Sequence, residues 1–275
     1  MPYDLIAVGD VMLDGALPAP VAGRRVHGRI ELRVGGSAAN AALAAARLGA
    51  RAAVIGRVGA DAAGRLVADE LAGAGVEPLL AVDGEAPTGC VIVVGETSVV
   101  ADPGASVRLA PDDLPATLEA PAVLVSGYSL LQAGAEAAAR AALQRARTDC
   151  LAVDAASARL VAAFGVDRFL EATAAAGVLL ANEGEARTLT GLEADEAALM
   201  LALRYGVVCV KLGSAGAIAA SGEEIVRAQV QPLERTDTLG AGDAFAGGFL
   251  LSLSRGADLA WALRAGCDAA TAALA

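Results

Sequence analysis

The segment richest in chemistry is Asp237-Thr238-Leu239-Gly240-Ala241-Gly242-Asp243-Ala244-Phe245. Two glycines one residue apart lead straight into an apolar run of helical character. A helix start offers free N–H groups and a partial positive charge, so it binds anions. Gly240 and Gly242 let the backbone come close to a phosphate. Asp243 then suits two roles. It is a favourable partner for the helix dipole, and it is a general base beside an anion hole. The second pairing suits phosphoryl transfer, in which a hydroxyl attacks while charge builds on the transferred group. The turn is not a dinucleotide fingerprint, because Phe245 stands where GxGxxG needs its third glycine. From these residues alone both roles remain open.

Composition removes most other chemistries. The 275 residues include one His, four Cys and a formal charge of −11. A Ser-His-Asp triad would have to use His27, and an imidazole-rich zinc site is impossible. Lys211 is the only lysine, and Leu212-Gly213 follow it, so no GxxxxGK[ST] loop exists. A pI near 4.6 argues against nucleic acid as a partner, since binding it requires phosphate neutralisation. Mean hydropathy is +0.54, yet the richest runs, 172–181 and 244–253, fall well short of the ~20 apolar residues of a spanning helix. Much of the apolar content is Ala, a strong helix former. Met1-Pro2-Tyr3-Asp4 lacks a positive leader, and Cys90, Cys150, Cys209 and Cys267 form no CxxC pair. The expectation is a reducing cytoplasm with no membrane partner.

The elements that must position these residues read as α/β. Apolar runs at 5–8, 52–55, 122–125, 151–154, 178–180 and 207–212 alternate with Ala-rich amphipathic stretches. Helices are expected at 37–48, 62–72, 240–253 and 259–274, with Gly49 stopping the first. Short buried strands between helices imply a mostly parallel sheet covered on both faces. The polar, turn-rich pieces near 11–34 and 85–102 do not fit that sheet. They predict a small β-lid inserted into a single domain over 1–275, with a strand at 26–34 and a β-pair at 91–94 and 98–101 turning near Gly95.

The Asp237–Asp243 segment resembles the second signature, DTxGAGD, of the ribokinase or PfkB family of carbohydrate kinases. The first signature is matched by Gly35-Gly36-Ser37-Ala38-Ala39-Asn40-Ala41-Ala42 through Leu48-Gly49, then Ile55-Gly56-Arg57-Val58-Gly59-Ala60-Asp61 and Gly64. Gly9 and Asp14 resemble the family's opening strand. Asn182-Glu183-Gly184-Glu185 resembles its NxxE element, and Lys211-Leu212-Gly213-Ser214-Ala215-Gly216 the loop before the second signature. The motifs follow in order along nearly the whole chain.

This resemblance implies a ribokinase-like three-layer α/β/α fold and ATP-dependent phosphorylation of a sugar, polyol or nucleoside hydroxyl. It implies that Asp243 is the base and that the N–H groups of Gly240, Ala241 and Gly242 form the anion hole. Asp14, Gly35, Gly36 and Asn40 would contact the acceptor. On the residues alone, Asp14 is equally a turn residue before Gly15, and Asn40 a first-turn residue of a helix capped by Ser37. Asn182 and Glu185 would organise Mg²⁺, chiefly through water; their alternative is an N-cap with acidic first-turn neighbours. Gly213 and Gly216 would shape the nucleotide loop, or simply join two strands. Lys211 approaches a phosphate or ends a strand. Asp237 matches the region that holds an activating monovalent cation such as K⁺ in several members. Tyr128 is a candidate for substrate contact; His27 and the Arg24–Arg29 stretch are substrate contacts or a solvated loop. Many relatives continue past the position of Ala275 with a segment closing the adenine site, so the resemblance implies a shortened chain or a more open nucleotide pocket. Open lid edges offer a route to a homodimer. A regulator that kept the fold without catalysis is the alternative from another class.

Overall fold

The computed structural model describes residues 2–17, 27–94, 98–230 and 240–274. Among them a nine-stranded sheet forms the centre. From edge to edge its strands are Glu224–Ala228, Ala217–Ser221, Val207–Lys211, Val178–Asn182, Cys150–Asp154, Ala122–Ser126, Leu5–Val8, Ala52–Gly59 and Val76–Asp83. All are parallel except the antiparallel hairpin at 217–228 on one edge.

The strands' alternation builds two cores from one sheet. Successive side chains point to opposite faces. Leu5, Ala7, Ala122 and Leu124 therefore pack on one side, against helices Ser37–Arg47, Ala62–Gly73, Ala241–Ser254 and Leu259–Leu274. Ile6, Val8, Val123 and Val125 pack on the other, against helices that include Glu136–Arg145, Glu183–Thr190 and Ala194–Tyr205. The result is the three-layer α/β/α arrangement expected. Phe249 is fully buried and stacks on Phe245 with ring centroids 5.8 Å apart. Burying such a side chain stabilises by about 1.5–3 kcal/mol.

The lid is a separate four-stranded sheet in the order Glu31–Gly35, Met12–Leu17, Thr88–Val94, Ser98–Gly104. It comes from the two expected regions. Three details differ from the sequence reading. The first lid strand begins at Glu31, with no regular structure over 27–30, where Arg29 and Glu31 are solvent-facing and paired at 3.0 Å. Met12–Leu17 is a strand in its own right, pairing antiparallel with Glu31–Gly35 and parallel with Thr88–Val94. Val76–Asp83, unassigned from the sequence, is an edge strand of the main sheet. Gly95 lies outside the described residues.

Candidate active site

Parallel strands deliver their C-terminal ends to one side, and ligands of such sheets bind outside those ends. Here Lys211, Asn182, Asp154 and Ser126 each close a neighbouring strand on that side. Asp154 is in register with Ser126, and Asn182 with Lys211. Asp10 follows the strand Leu5–Val8. A cavity of about 1120 Å³ opens between these ends and the lid, and its wall includes Asp14, Asn40, Lys211 and Asp243.

Two helix starts meet in the cavity. In helix Ala241–Ser254 the N-cap is Gly240, whose φ of 81° is left-handed and favours glycine. Asp243 is the third helical residue, so the N–H groups of Ala241, Gly242 and Asp243 lie in the turn that has no intrahelical acceptors. Asn40 Nδ2 donates to Asp243 Oδ2 at 3.1 Å. Burial and the nearby Asp154 carboxylate push the Asp243 carboxyl up to about 6, while Lys211 and Asn40 act in the opposite sense.

Helix Ser37–Arg47 starts differently from expectation. Its N-cap is Gly36, with φ 93° and no side-chain cap. Ser37 is the first helical residue, and its N–H donates to Asp10 Oδ2 at 2.7 Å. A carboxylate from the segment after strand Leu5–Val8 therefore satisfies the helix start, so a Ser cap is unnecessary. A Cβ on Gly36 would lie 2.4 Å from the Asp10 carbonyl oxygen, so the close approach admits only glycine. Asp10 also accepts from Ser126 Oγ at 2.6 Å. Burial raises its carboxyl above the ordinary value.

Asn182 and Glu185 form a complete capping box. Asn182 Oδ1 accepts the Glu185 N–H at 2.9 Å, and Glu185 Oε2 accepts the Asn182 N–H at 2.8 Å. Asn182 Nδ2 donates to Glu185 Oε1 at 2.6 Å. Both residues also line the cavity, so the capping role and the site role coexist. Glu185 is buried, and burial followed by Asp154 pushes its carboxyl up to about 7.

Lys211 ends its strand and turns its ammonium into the cavity. Nζ lies 2.7 Å from Asp154 Oδ2. A Cβ on Gly242 would lie 3.5 Å from the same Nζ, so the ammonium sits beside the helix start. Burial lowers the Lys211 ammonium, but the carboxylates of Asp154, Glu185 and Asp243 outweigh it and hold the group charged. Tyr128 also faces the cavity, its phenol pushed up to about 12 by burial and by Asp10 and Asp243.

Most of the expected set thus converges. Asp14 lines the cavity as a buried residue of Met12–Leu17, and a Cβ on Gly35 would collide with its carboxylate at 1.9 Å. Gly213 reaches the wall, whereas Gly216 does not line the cavity and instead sits where a Cβ would meet the Ala228 carbonyl at 1.9 Å. Its role is to pass the hairpin edge. His27 is exposed and off the cavity wall, which Arg29 joins. Asp237, Arg24 and Arg25 lie outside the described residues. Sequence reasoning missed Asp10 and Asp154. Asp154 ends its strand and Asp10 follows Leu5–Val8, and that place at the end of an apolar run was the available signal.

This geometry offers an anion site, a basic carboxylate and an ammonium in one cavity under a lid. The model of the pfkB family carbohydrate kinases matches residues 4–275. The 2-dehydro-3-deoxygalactonokinase of Haloferax volcanii is 30% identical over 302 residues, covering 100% of this chain and 91% of that protein. The 2-dehydro-3-deoxygluconokinase of Thermoproteus tenax is 31% identical, covering 92% and 83% respectively. The crystal structure of adenosine kinase from Sinorhizobium meliloti superposes with a TM-score of 0.88 at 26% identity, covering 100% of this chain and 94% of the other.

Proposed function

The chain belongs to the pfkB family of carbohydrate kinases and is a phosphotransferase acting on a hydroxyl; from that premise we propose an ATP-dependent kinase of a small sugar or related polyol, with Asp243 as its general base. The acceptor oxygen attacks the γ-phosphorus in line and gives its proton to Asp243. The new O–P bond forms as the bond to the ADP oxygen breaks. The N–H groups of Gly240, Ala241 and Gly242, with Lys211, stabilise the charge on the transferred group. One observation carries the reading: Asp243 stands at a helix start, hydrogen-bonded to Asn40, with the Lys211 ammonium beside Gly242.

Asp14, Asn40 and the Gly35-Gly36 turn would hold the acceptor hydroxyls, and Gly213, which lines the cavity, would shape the nucleotide loop. Mg²⁺, when bound with ATP, supplies charge neutralisation at the phosphates. Glu185 and Asn182 would hold it through water. The donors fit in kind, because the Glu185 carboxylate and the Asn182 amide oxygen belong to residues lining the cavity and Mg²⁺ takes oxygen ligands. Asp237 remains the candidate for a monovalent cation, and higher turnover in K⁺ than in Na⁺ buffer is its check. The four free cysteines suit a reducing cytoplasm. Half-exposed Leu32 and Val100 on the lid, together with its open edge strands, favour a homodimer; a monomeric mass in light scattering would exclude it.

A second reading, a nucleoside kinase, is favoured by the aliphatic lid wall of Val91, Val93 and Val99. A panel of sugars, aldonates and nucleosides, assayed for ATP-dependent product by mass spectrometry, decides between the two. Ligand binding without transfer to any acceptor would favour a regulator instead.

A further inference from the structure

We propose that Asp154 is a positioning residue: it fixes the Lys211 ammonium against the start of helix Ala241–Ser254 and keeps it from pairing with Asp243. The inference rests on the kinase reading above and adds to it a residue outside the family motifs matched in this chain.

Of the carboxylates on the cavity wall, Asp14 and Glu31 belong to the lid strands, whereas Asp10, Asp154, Glu185 and Asp243 share the main-sheet side with the chain's single lysine. One ammonium cannot pair closely with all of them. Asp154 takes it, at 2.7 Å, reaching across the intervening strand Val178–Asn182. The side chains of the pair are only 15% and 11% exposed, so solvent screens the contact weakly. The carboxylate itself is held. Oδ1 accepts the Ala156 N–H at 2.9 Å, which leaves Oδ2 for Lys211. Ala156 has φ 65° and is the only non-glycine residue with positive φ among those described. Such a conformation is costly for a residue with a Cβ, and it persists where surrounding structure requires it. The turn after Asp154 is therefore built to present that carboxylate.

A lysine stem is flexible, and its ammonium goes wherever the strongest anion is. Without Asp154 the remaining partners are Glu185 and Asp243. Pairing with Asp243 would lower its basicity and occupy the face where the acceptor proton must arrive. It would also turn the ammonium away from the phosphate at the Gly240–Gly242 turn. Asp154 thus does for Lys211 what Asn40 does for Asp243: each orients a charged group before the ligands bind.

The test is a double-mutant cycle in the full-length protein, with kcat and KM for ATP measured separately and melting followed in parallel. Asp154→Asn keeps an acceptor for the Ala156 N–H but presents an amide N–H₂ to Lys211. It is expected to lower kcat by about 10–100-fold, the scale of a misplaced reacting group, without raising KM for ATP. Lys211→Met is expected to lower kcat similarly. In the Lys211→Met background, Asp154→Asn should change kcat less than about twofold, because Asp154 acts through Lys211. Asp154→Glu, which restores the charge, should recover part of the loss. Equal losses of kcat in both Lys211 backgrounds, or a kcat loss that merely tracks melting temperature, would overturn the proposal and leave the kinase reading standing. A wild-type protein that transfers phosphate to no acceptor would overturn both.

Discussion

Asn40 and Asp243 are 203 positions apart in sequence, and their side chains meet at 3.1 Å. Each lies in the first turn of its helix, one following Gly36 and the other following Gly240. The bond therefore joins the two signature segments into one site. It also fixes the rotation of the Asp243 carboxylate beside the free N–H groups of its own helix.

Asp243→Asn should lower turnover by about 10²–10⁴-fold, the range for loss of a general base, with ATP affinity nearly unchanged. An ADP-release assay and nucleotide titration measure the two. The variant should also melt higher than wild type at pH 8. The sign follows from linkage. The folded carboxyl is pushed up to about 6 from an ordinary 3.8, so between those values the folded state binds more protons than the unfolded state. Ionising Asp243 consequently costs stability above pH 6, and the cost disappears as pH falls through 6 toward 4. The melting advantage of the variant should shrink over that window. An advantage that grew on acidification would contradict the buried, repelled carboxylate.

The rate profile should carry the same signature. A base that must be deprotonated gives kcat/KM that rises with pH to a plateau, with a midpoint near 6. Lys211→Met should move that midpoint upward, because Lys211 favours the charged form of Asp243 while Asp154 and Asp10 oppose it. Profiles of both proteins at constant ionic strength test this. An unmoved midpoint would place Lys211 too far from Asp243 to matter.

The buried strands were legible because a run such as Leu5–Val8 has no polar interruption and must be covered on both faces. Val76–Asp83 was not, because Pro78 lies within it and its burial is mixed, as an edge strand allows. The Gly-Ala-Gly-Asp turn was legible because helix starts leave a local mark in sequence. Asp154 left none. It matters through Lys211, 57 positions away and two strands across the sheet, and only topology makes them neighbours. Asp10 was hidden similarly, since its partners Ser37 and Ser126 come from a helix and from another strand. Chemistry carried by a contiguous turn could be read directly, whereas chemistry assembled from separate strand ends could not.

Gly35 is a test of the acceptor side alone. A Cβ there would lie 1.9 Å from Asp14 Oδ1, so Gly35→Ala must displace the Asp14 carboxylate or the lid strand bearing it. If Asp14 holds acceptor hydroxyls, KM for the acceptor should rise by about tenfold or more, the cost of one lost polar contact to substrate. KM for ATP should stay within about twofold, because Asp14 lies on lid strand Met12–Leu17 whereas the proposed nucleotide loop at Gly213 follows main-sheet strand Val207–Lys211. Steady-state kinetics with each substrate varied in turn separates these outcomes. An equal rise in both KM values would argue against Asp14 as an acceptor contact.

The motif Arg57–Asp61, with Gly64, contributes no residue to the cavity wall and explains itself as the lid's anchor. Asp61 Oδ1 accepts the Gly64 N–H at 2.8 Å, capping helix Ala62–Gly73, and the Thr88 hydroxyl at 2.6 Å. Oδ2 accepts the Thr88 N–H at 2.8 Å, and Thr88 Oγ accepts the Gly59 N–H at 2.9 Å. Thr88 is the first residue of lid strand Thr88–Val94, so one carboxylate ties a helix start to the lid's root. Arg57 secures the same region by binding Asp83 and Asp113 at 2.9 and 2.8 Å. Asp61→Ala should cost about 1 kcal/mol for the cap and about 1 kcal/mol for each bond to Thr88. Urea denaturation measures that loss. Hydrogen exchange should increase at lid strand Thr88–Val94 more than in the main sheet, because only the lid loses its root. Exchange that rose evenly across the chain would mean that Asp61 supports the domain as a whole rather than the lid.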